Sequence, residues 1–164
     1  MEIFWQELAA GLPDVYQLER VAIRLIAAAI IGAAIGYERQ MAGKSAGLRT
    51  HTLVTLGTCV LVVASTAHGL TSDGISRVIQ GIVTGIGFLG AGSILKLSGD
   101  HHIRGLTSAA GIWMVAAIGV TVGLGMLGIA ILAAIMTLLV LTLLRRLEPA
   151  RVETADEPSV SRTE

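Results

Sequence analysis

Hydrophobic positions in this chain run in blocks rather than alternate. Val21–Tyr37, Leu53–Ala67, Ile79–Leu97 and Leu106–Leu144 are long apolar stretches, and nearly all charge falls between or beyond them. A helix needs about 20 residues to cross the roughly 30 Å hydrocarbon core of a bilayer. The first three stretches approach that length and the fourth is enough for two crossings. Leu106–Leu144 carries Gly119, Gly123, Gly125 and Gly128, and breaks most readily around Val122–Gly125. The pattern predicts an all-α, polytopic transmembrane helical bundle of five transmembrane helices, over Val21–Tyr37, Thr52–His68, Val78–Leu97, Thr107–Val122 and Leu124–Leu144.

Composition and charge orient this bundle. Apolar residues make up 53% of the chain and charged residues 15%, against about 25% charged in soluble domains, so a soluble fold would leave much apolar surface in water. The formal net charge is zero, which leaves no basic footprint and no expected nucleic-acid partner. Cytoplasmic loops of membrane proteins carry an excess of Lys and Arg. With the N-terminus outside, the inner segments hold Arg39, Lys44, Arg49, Lys96, Arg104, Arg145, Arg146, Arg151 and Arg162, and the outer ones hold Arg20, Arg24 and Arg77. That split places the N-terminus outside and the C-terminus in the cytoplasm.

The ends divide from the bundle. MEIFWQEL has no basic n-region followed by an apolar core, so no cleaved signal peptide is expected. Within residues 1–20, Phe4, Leu8, Leu12 and Val15 recur at helical spacing beside Trp5, as in an amphipathic helix lying in the membrane interface. A loosely ordered segment fits the same residues. Residues 21–146 form the transmembrane domain, and residues 147–164 read as a disordered cytoplasmic tail.

Small residues let helices approach closely in lipid. Gly32 with Gly36, Gly81 with Gly85, and Gly119 with Gly123 are pairs four residues apart, and Gly85, Gly87, Gly90 and Gly92 crowd the run GIGFLGAG. Gly81, Gly85, Phe88 and Gly92 share one helical face. These glycines are expected to serve helix packing, within the bundle or in a dimer; a hinge or pore wall is the other reading.

Candidate chemistry gathers at the cytoplasmic side. Glu38 and Arg39 end the first span, and His51 follows in the first inner loop. Gly47-Leu48-Arg49-Thr50 and Arg104-Gly105-Leu106-Thr107 each place an Arg and a hydroxyl at the start of a span. Thr50 and Thr107 are positioned as N-caps, and the helix dipole together with a guanidinium favours an anion. Glu38, Arg39, Arg49, Thr50, His51, Arg104 and Thr107 therefore form a candidate site for phosphate, a lipid head group or an acidic partner segment. The competing view is that the arginines only snorkel to lipid phosphates. Glu38 is expected to pair with Arg49 or Arg104. His51, Thr55, Thr58 and Ser65 share a face, with Thr66 at its edge; they can line a watery path or bond back to their own helix.

Other chemistry is not indicated. Asp100-His101-His102 lacks further ligands at metal spacing, so no metal and no cofactor are expected. Cys59 lies inside an apolar stretch and suggests no redox framework. No acidic residue falls in the middle of a span, whereas a divalent-cation path needs oxygen ligands, usually carboxylates. No nucleophile set or nucleotide-binding loop is present, so catalysis is not expected.

Four ordered blocks, GYER (Gly36–Arg39), GLRTHTLVTLG (Gly47–Gly57), GIGFLGAGSILK (Gly85–Lys96) and RGLTSAAGIWMVAAIG (Arg104–Gly119), resemble the MgtC/SapB family of bacterial inner-membrane proteins. The resemblance covers most of residues 21–144. It implies a five-span, multi-pass protein of the bacterial inner membrane, linked to growth at low magnesium. It further implies a regulatory role through other membrane proteins, such as the F-type ATP synthase. The expected partners are the lipid bilayer and either other membrane proteins or a second copy of the chain. The alternative is a small transporter or channel component for magnesium or another ion. With about 20 residues after the last span, the chain looks like the short SapB-like form, without the soluble C-terminal domain of MgtC-like members.

Overall fold

A helix pairs its backbone N–H and C=O groups within its own segment, as lipid requires, and among the described residues there are five such long helices. The computed structural model describes residues 1–3, 15–96 and 103–147. Helix α1 runs Val15–Met41, α2 Leu48–Ala67, α3 Ser72–Gly92, α4 Leu106–Gly123 and α5 Leu127–Leu147. Among the described residues, α2, α3, α4 and α5 are long and apolar enough to cross a membrane. The all-α expectation gains one small exception: strands β1 (Leu95–Lys96) and β2 (Ile103–Arg104) pair antiparallel, with Leu95 opposite Arg104 and Lys96 opposite Ile103. The interfacial segment around Phe4, Trp5, Leu8 and Leu12, the Asp100-His101-His102 run and the tail after Leu147 lie outside the described residues.

Two spans depart most from the sequence reading. Span one was placed at Val21–Tyr37, but α1 begins at Val15 and continues to Met41. Charged side chains at Glu19, Arg20 and Arg24 do not interrupt helical hydrogen bonding. Span three was placed at Val78–Leu97, but α3 occupies Ser72–Gly92. Thr71 caps its start, the hydroxyl accepting from the Gly74 N–H at 3.4 Å, and Asp73 complements the positive end of the dipole. At the other end Ser93 donates its hydroxyl to the Gly90 carbonyl at 2.8 Å, after which Leu95 and Lys96 leave the helix for the strand pair.

The long apolar stretch does break where its glycines predict. Gly125 adopts φ +82°, a left-handed conformation that costs glycine nothing. Its N–H bonds the Val122 carbonyl at 2.8 Å, and the Met126 N–H bonds the Thr121 carbonyl at 3.1 Å. That is the two-bond closure that commonly ends a helix, and it turns α4 into α5 within a few residues.

Helix α4 is the centre of the bundle. Over its membrane-length window 56% of residues are buried, against 11% in α3 and 17% in α5. One apolar cluster joins Ala28 and Ile35 of α1, Cys59 and Val63 of α2, Val115, Ile118 and Val122 of α4, and Ala130 and Ala134 of α5. A second joins Val62 of α2, Ile82 and Ile86 of α3, and Ile112, Ala116 and Val120 of α4, with Ala46 of the first loop laid over it.

Candidate functional site

Helix α2 is gripped from two sides by glycines. A Cβ on Gly32 of α1 would meet Thr55 Oγ1 at 2.7 Å and Thr52 Cα at 2.9 Å, and one on Gly36 would meet Leu48 Cα at 2.8 Å. From α4, a Cβ on Gly119 would collide with Thr58 Oγ1 and the Thr55 carbonyl, and one on Gly123 would lie 2.7 Å from Val62 Cβ. At Gly32, Gly36, Gly119 and Gly123 alike, an added methyl would run into α2. The glycines of α3 differ: nothing lies within 4 Å of a Cβ built on Gly81, Gly85, Gly87 or Gly92, and Gly90 meets only Ala109 Cβ at 3.8 Å.

That grip closes over the polar stripe of α2. His51, Thr55 and Thr58 are buried, and the hydroxyls bond back into their own helix. Thr55 donates to the His51 carbonyl at 2.8 Å, Thr58 to Val54 at 3.0 Å, Ser65 to Leu61 at 2.7 Å and Thr66 to Val63 at 2.8 Å. Such bonds satisfy the hydroxyls without water.

An ionic cluster ties the last turns of α1 to α5. Arg39 is only 2% exposed; its guanidinium donates to the carboxylate of Glu38 and reaches the Leu141 carbonyl of α5 at 3.5 Å. Arg145 of α5 brings its guanidinium to 3.8 Å from the second Glu38 oxygen. Glu38 thus pairs with Arg39 and Arg145, not with Arg49 as the sequence suggested; the Arg104 side chain lies outside the description. The reason is one of faces. Glu38 and Arg39 sit beyond Ile35 on the side of α1 that meets α5, whereas Arg49 is exposed. Two cations on one carboxylate leave this end of the bundle positive. Breaking a buried pair costs far more than the intact pair contributes, so the cluster fixes the register of α1 against α5.

His51 stands one helix away. Its Nδ1 lies 3.0 Å from the Gly47 carbonyl, a contact that needs the proton on Nδ1 and leaves a lone pair on Nε2. That Nε2 is buried without a hydrogen-bond partner and faces Gly111 of α4, where a Cβ would come within 3.2 Å. Glu38, Arg39 and His51 are thereby gathered at one end of the bundle, separated by the close approach at Gly36.

The two threonines do not cap. Gly47 is the N-cap of α2 and Gly105, at φ +98°, that of α4; neither helix start has a side-chain cap bond. Thr50 and Thr107 already lie inside the first turns, because Gly47 and Gly105 take the extended and left-handed conformations that start each helix. The opposite end holds a contact that sequence reasoning missed. Arg24 of α1 donates to the Gly123 carbonyl of α4 at 2.9 Å, compensating the negative end of that helix. A single basic residue near the start of a span gave no hint of a carbonyl partner so distant in sequence.

The sequence profile of the MgtC family matches residues 25–150. The chain is 48% identical over 132 residues to YhiD of Escherichia coli (strain K12), named as a candidate magnesium transporter, covering 76% of this chain and 60% of YhiD. It is 41% identical over 139 residues to protein SrpB of Synechococcus elongatus, covering 78% of this chain and 76% of SrpB. It is 44% identical over 131 residues to protein MgtC of Brucella abortus, covering 79% of this chain and 53% of MgtC. The chain therefore spans little more than half the length of YhiD and MgtC. No solved structure matches it. A profile that covers most of the chain, and relatives above 40% identity over its helical core, place this membrane protein in the MgtC family.

Proposed function

We propose that the protein is a multi-pass protein of the bacterial inner membrane that serves magnesium homeostasis by contacting and regulating other membrane proteins, without catalysis and without conducting the ion. Its five helices are read as five spans, N-terminus outside and C-terminus cytoplasmic. Helix α1 supports the fifth span: Leu25–Tyr37 is free of charge and covers about 20 Å at 1.5 Å per residue. The pairing of helix ends agrees, since Arg24 at the start of α1 meets the end of α4, and Arg39 at its close meets the last turns of α5. The tie to magnesium rests on the names of the relatives.

One observation carries the choice of regulation over transport. The stripe with the polarity to line a path, His51, Thr55 and Thr58, is buried, its hydroxyls are bonded to α2 carbonyls, and Gly32 and Gly119 close against it. The cleft that opens between α2 and α3 is lined by apolar residues such as Leu53, Leu61, Ile82 and Leu89, with Thr58 as its single hydroxyl; that hydroxyl is bonded to the Val54 carbonyl, and the wall offers a hydrated cation no carboxylate. At the end read as cytoplasmic, exposed Arg49 lies in the first turn of α2, which has no side-chain cap, and half-exposed Arg145 lies in the last turn of α5. That face suits an acidic partner segment or a phosphate head group, with Arg104 as a further contributor.

Purified protein in liposomes holding a magnesium-sensitive dye tests this directly. The expected magnesium entry equals that of protein-free liposomes; saturable, protein-dependent entry overturns the proposal. Replacing Arg49 and Arg104 together by Ala is expected to reduce co-purification of a partner or of anionic lipid while the helical content stays unchanged.

A further inference from the structure

We infer that the pocket between the start of α1 and the end of α2 is a site for a phosphate anion, of the kind carried by an anionic phospholipid head group. It lies at the opposite end of the bundle from Arg49 and Arg145, in the outer leaflet on the orientation proposed above. The site goes beyond the regulatory reading and holds whether or not the protein regulates a partner.

The chain itself sets two positive charges here. Arg20 and Arg24 stand four residues apart on α1, a like-charge spacing that costs a helix stability unless something negative relieves it. Between α1 and α2 the fold leaves a cavity of about 420 Å³, lined by both arginines together with Tyr16, Gln17 and Thr66. Among the described residues no Asp or Glu lines it; Glu19 belongs to a different face of α1 and is exposed. The carbonyls that close α2 are already partnered. Those of Ala64, Ser65 and Thr66 accept from the backbone N–H groups of His68, Leu70 and Gly69.

Arg24 is ordered in advance. One of its five N–H donors goes to the Gly123 carbonyl at 2.9 Å, and a Cβ on Gly125 would come within 2.6 Å of its Nη2. A cation fixed before binding spares the ligand the cost of ordering it. Arg20, one turn nearer the start of α1, is exposed and stands at the mouth. Tyr16, 73% exposed, lies one turn further still and carries the amphipathic ring that favours the head-group level of a bilayer. Its hydroxyl and the Gln17 amide add neutral donors, and Val21 and Val63 give the pocket an apolar side. Donors on one side and methyl groups on the other suit a phosphate joined to glycerol, and basic pockets between spans take such head groups. Arginines that only extend towards surrounding lipid phosphates need no pocket.

Thermal unfolding of the full-length protein in a neutral detergent tests this, with rising phosphatidylglycerol, phosphatidylcholine or inorganic phosphate. Phosphatidylglycerol is expected to raise the melting temperature saturably; phosphatidylcholine, whose choline already answers its phosphate, is not. A saturable rise with inorganic phosphate and none with phosphatidylglycerol would keep the site and assign it to free phosphate. Arg20→Gln is expected to raise the half-saturating concentration about fivefold, the scale of one basic residue near an anionic surface. Ala67→Phe fills the pocket from the exposed end of α2 without altering charge, and is expected to weaken binding at least as much. Arg77→Gln removes an arginine at the same end, on α3 and outside the pocket, and is expected to change nothing. All three positions are exposed, so each variant should melt like the parent before any addition. Equal loss at Arg77 and Arg20, or full binding by Ala67→Phe, would reduce the effect to general attraction between lipid and a basic surface and overturn the inference. So would an equal shift with phosphatidylcholine, or no saturable shift with either anion.

Discussion

The same motif, a pair of glycines four residues apart, has opposite fates in two regions of this molecule. Where α1 and α4 cross α2, the glycines at 32, 36, 119 and 123 vanish under backbone and threonine hydroxyls. Along α3 the glycines at 81, 85, 87 and 92 look onto open space. The spacing of small residues states where backbones are able to approach; whether they do depends on what the remaining faces of each helix demand. Helix α3 satisfies its apolar demand through Ile82 and Ile86 against α4, about a quarter turn away from Gly81 and Gly85. Helix α2 has polar groups to hide, and hides them where the glycines admit the closest packing.

Substitutions in the two regions should therefore behave differently, and four of them test how deep the contrast runs. The largest loss is expected at Arg39→Ala, which strips the part-buried Glu38 of its nearest cation; breaking a buried pair costs about 3–5 kcal/mol. Thermal unfolding in detergent would show it, and the double variant lacking both Glu38 and Arg39 should lose less than Arg39→Ala alone. Next comes Gly119→Ala. The added methyl meets the Thr55 carbonyl and Thr58 Oγ1, and overpacking of that kind reaches about 3 kcal/mol. A neutral result there would dissolve the distinction between the two regions. Thr58→Val is expected to cost about 1 kcal/mol or less, the net worth of one hydrogen bond, and to leave membrane conductance unchanged. A gain of ion leak would show that its hydroxyl faces water. The smallest effect belongs to Gly85→Ala, whose monomer should melt within about 1 kcal/mol of the parent, shifted towards greater stability by helix propensity.

Much of this architecture could be read from the chain because lipid leaves few options. Long apolar blocks have to be helices, and Gly125 has to be a break once the block around it is too long for one crossing. Helix ends were harder to read. Arg20 and Arg24 look like a boundary, yet α1 runs straight through them, since charged side chains can extend towards water from a helix that continues. The site was legible in its ingredients but not in its pairings. Glu38 and Arg39 stood out as the charges closing span one, but no periodicity says that Leu141 and Arg145 face them. Thr50 and Thr107 were natural caps by composition, and lost that role because the glycines just before each helix already supply the backbone turn. Arg24 reaching the Gly123 carbonyl and His51 facing Gly111 are contacts between helices, invisible to any reading along one of them.

The central claim is that the heart of the bundle, where α2 is clasped by α1 and α4, admits no water. Cys59 reports on it without any mutation: it is fully buried, directly follows Thr58, and its carbonyl packs against Gly123. The direct measurement is the rate at which a charged, membrane-impermeant thiol reagent modifies Cys59 in proteoliposomes opened to it from both sides. The structure predicts no modification until the protein is unfolded. Rapid labelling of the folded protein would reveal a watery path beside Thr55 and Thr58 and contradict the account.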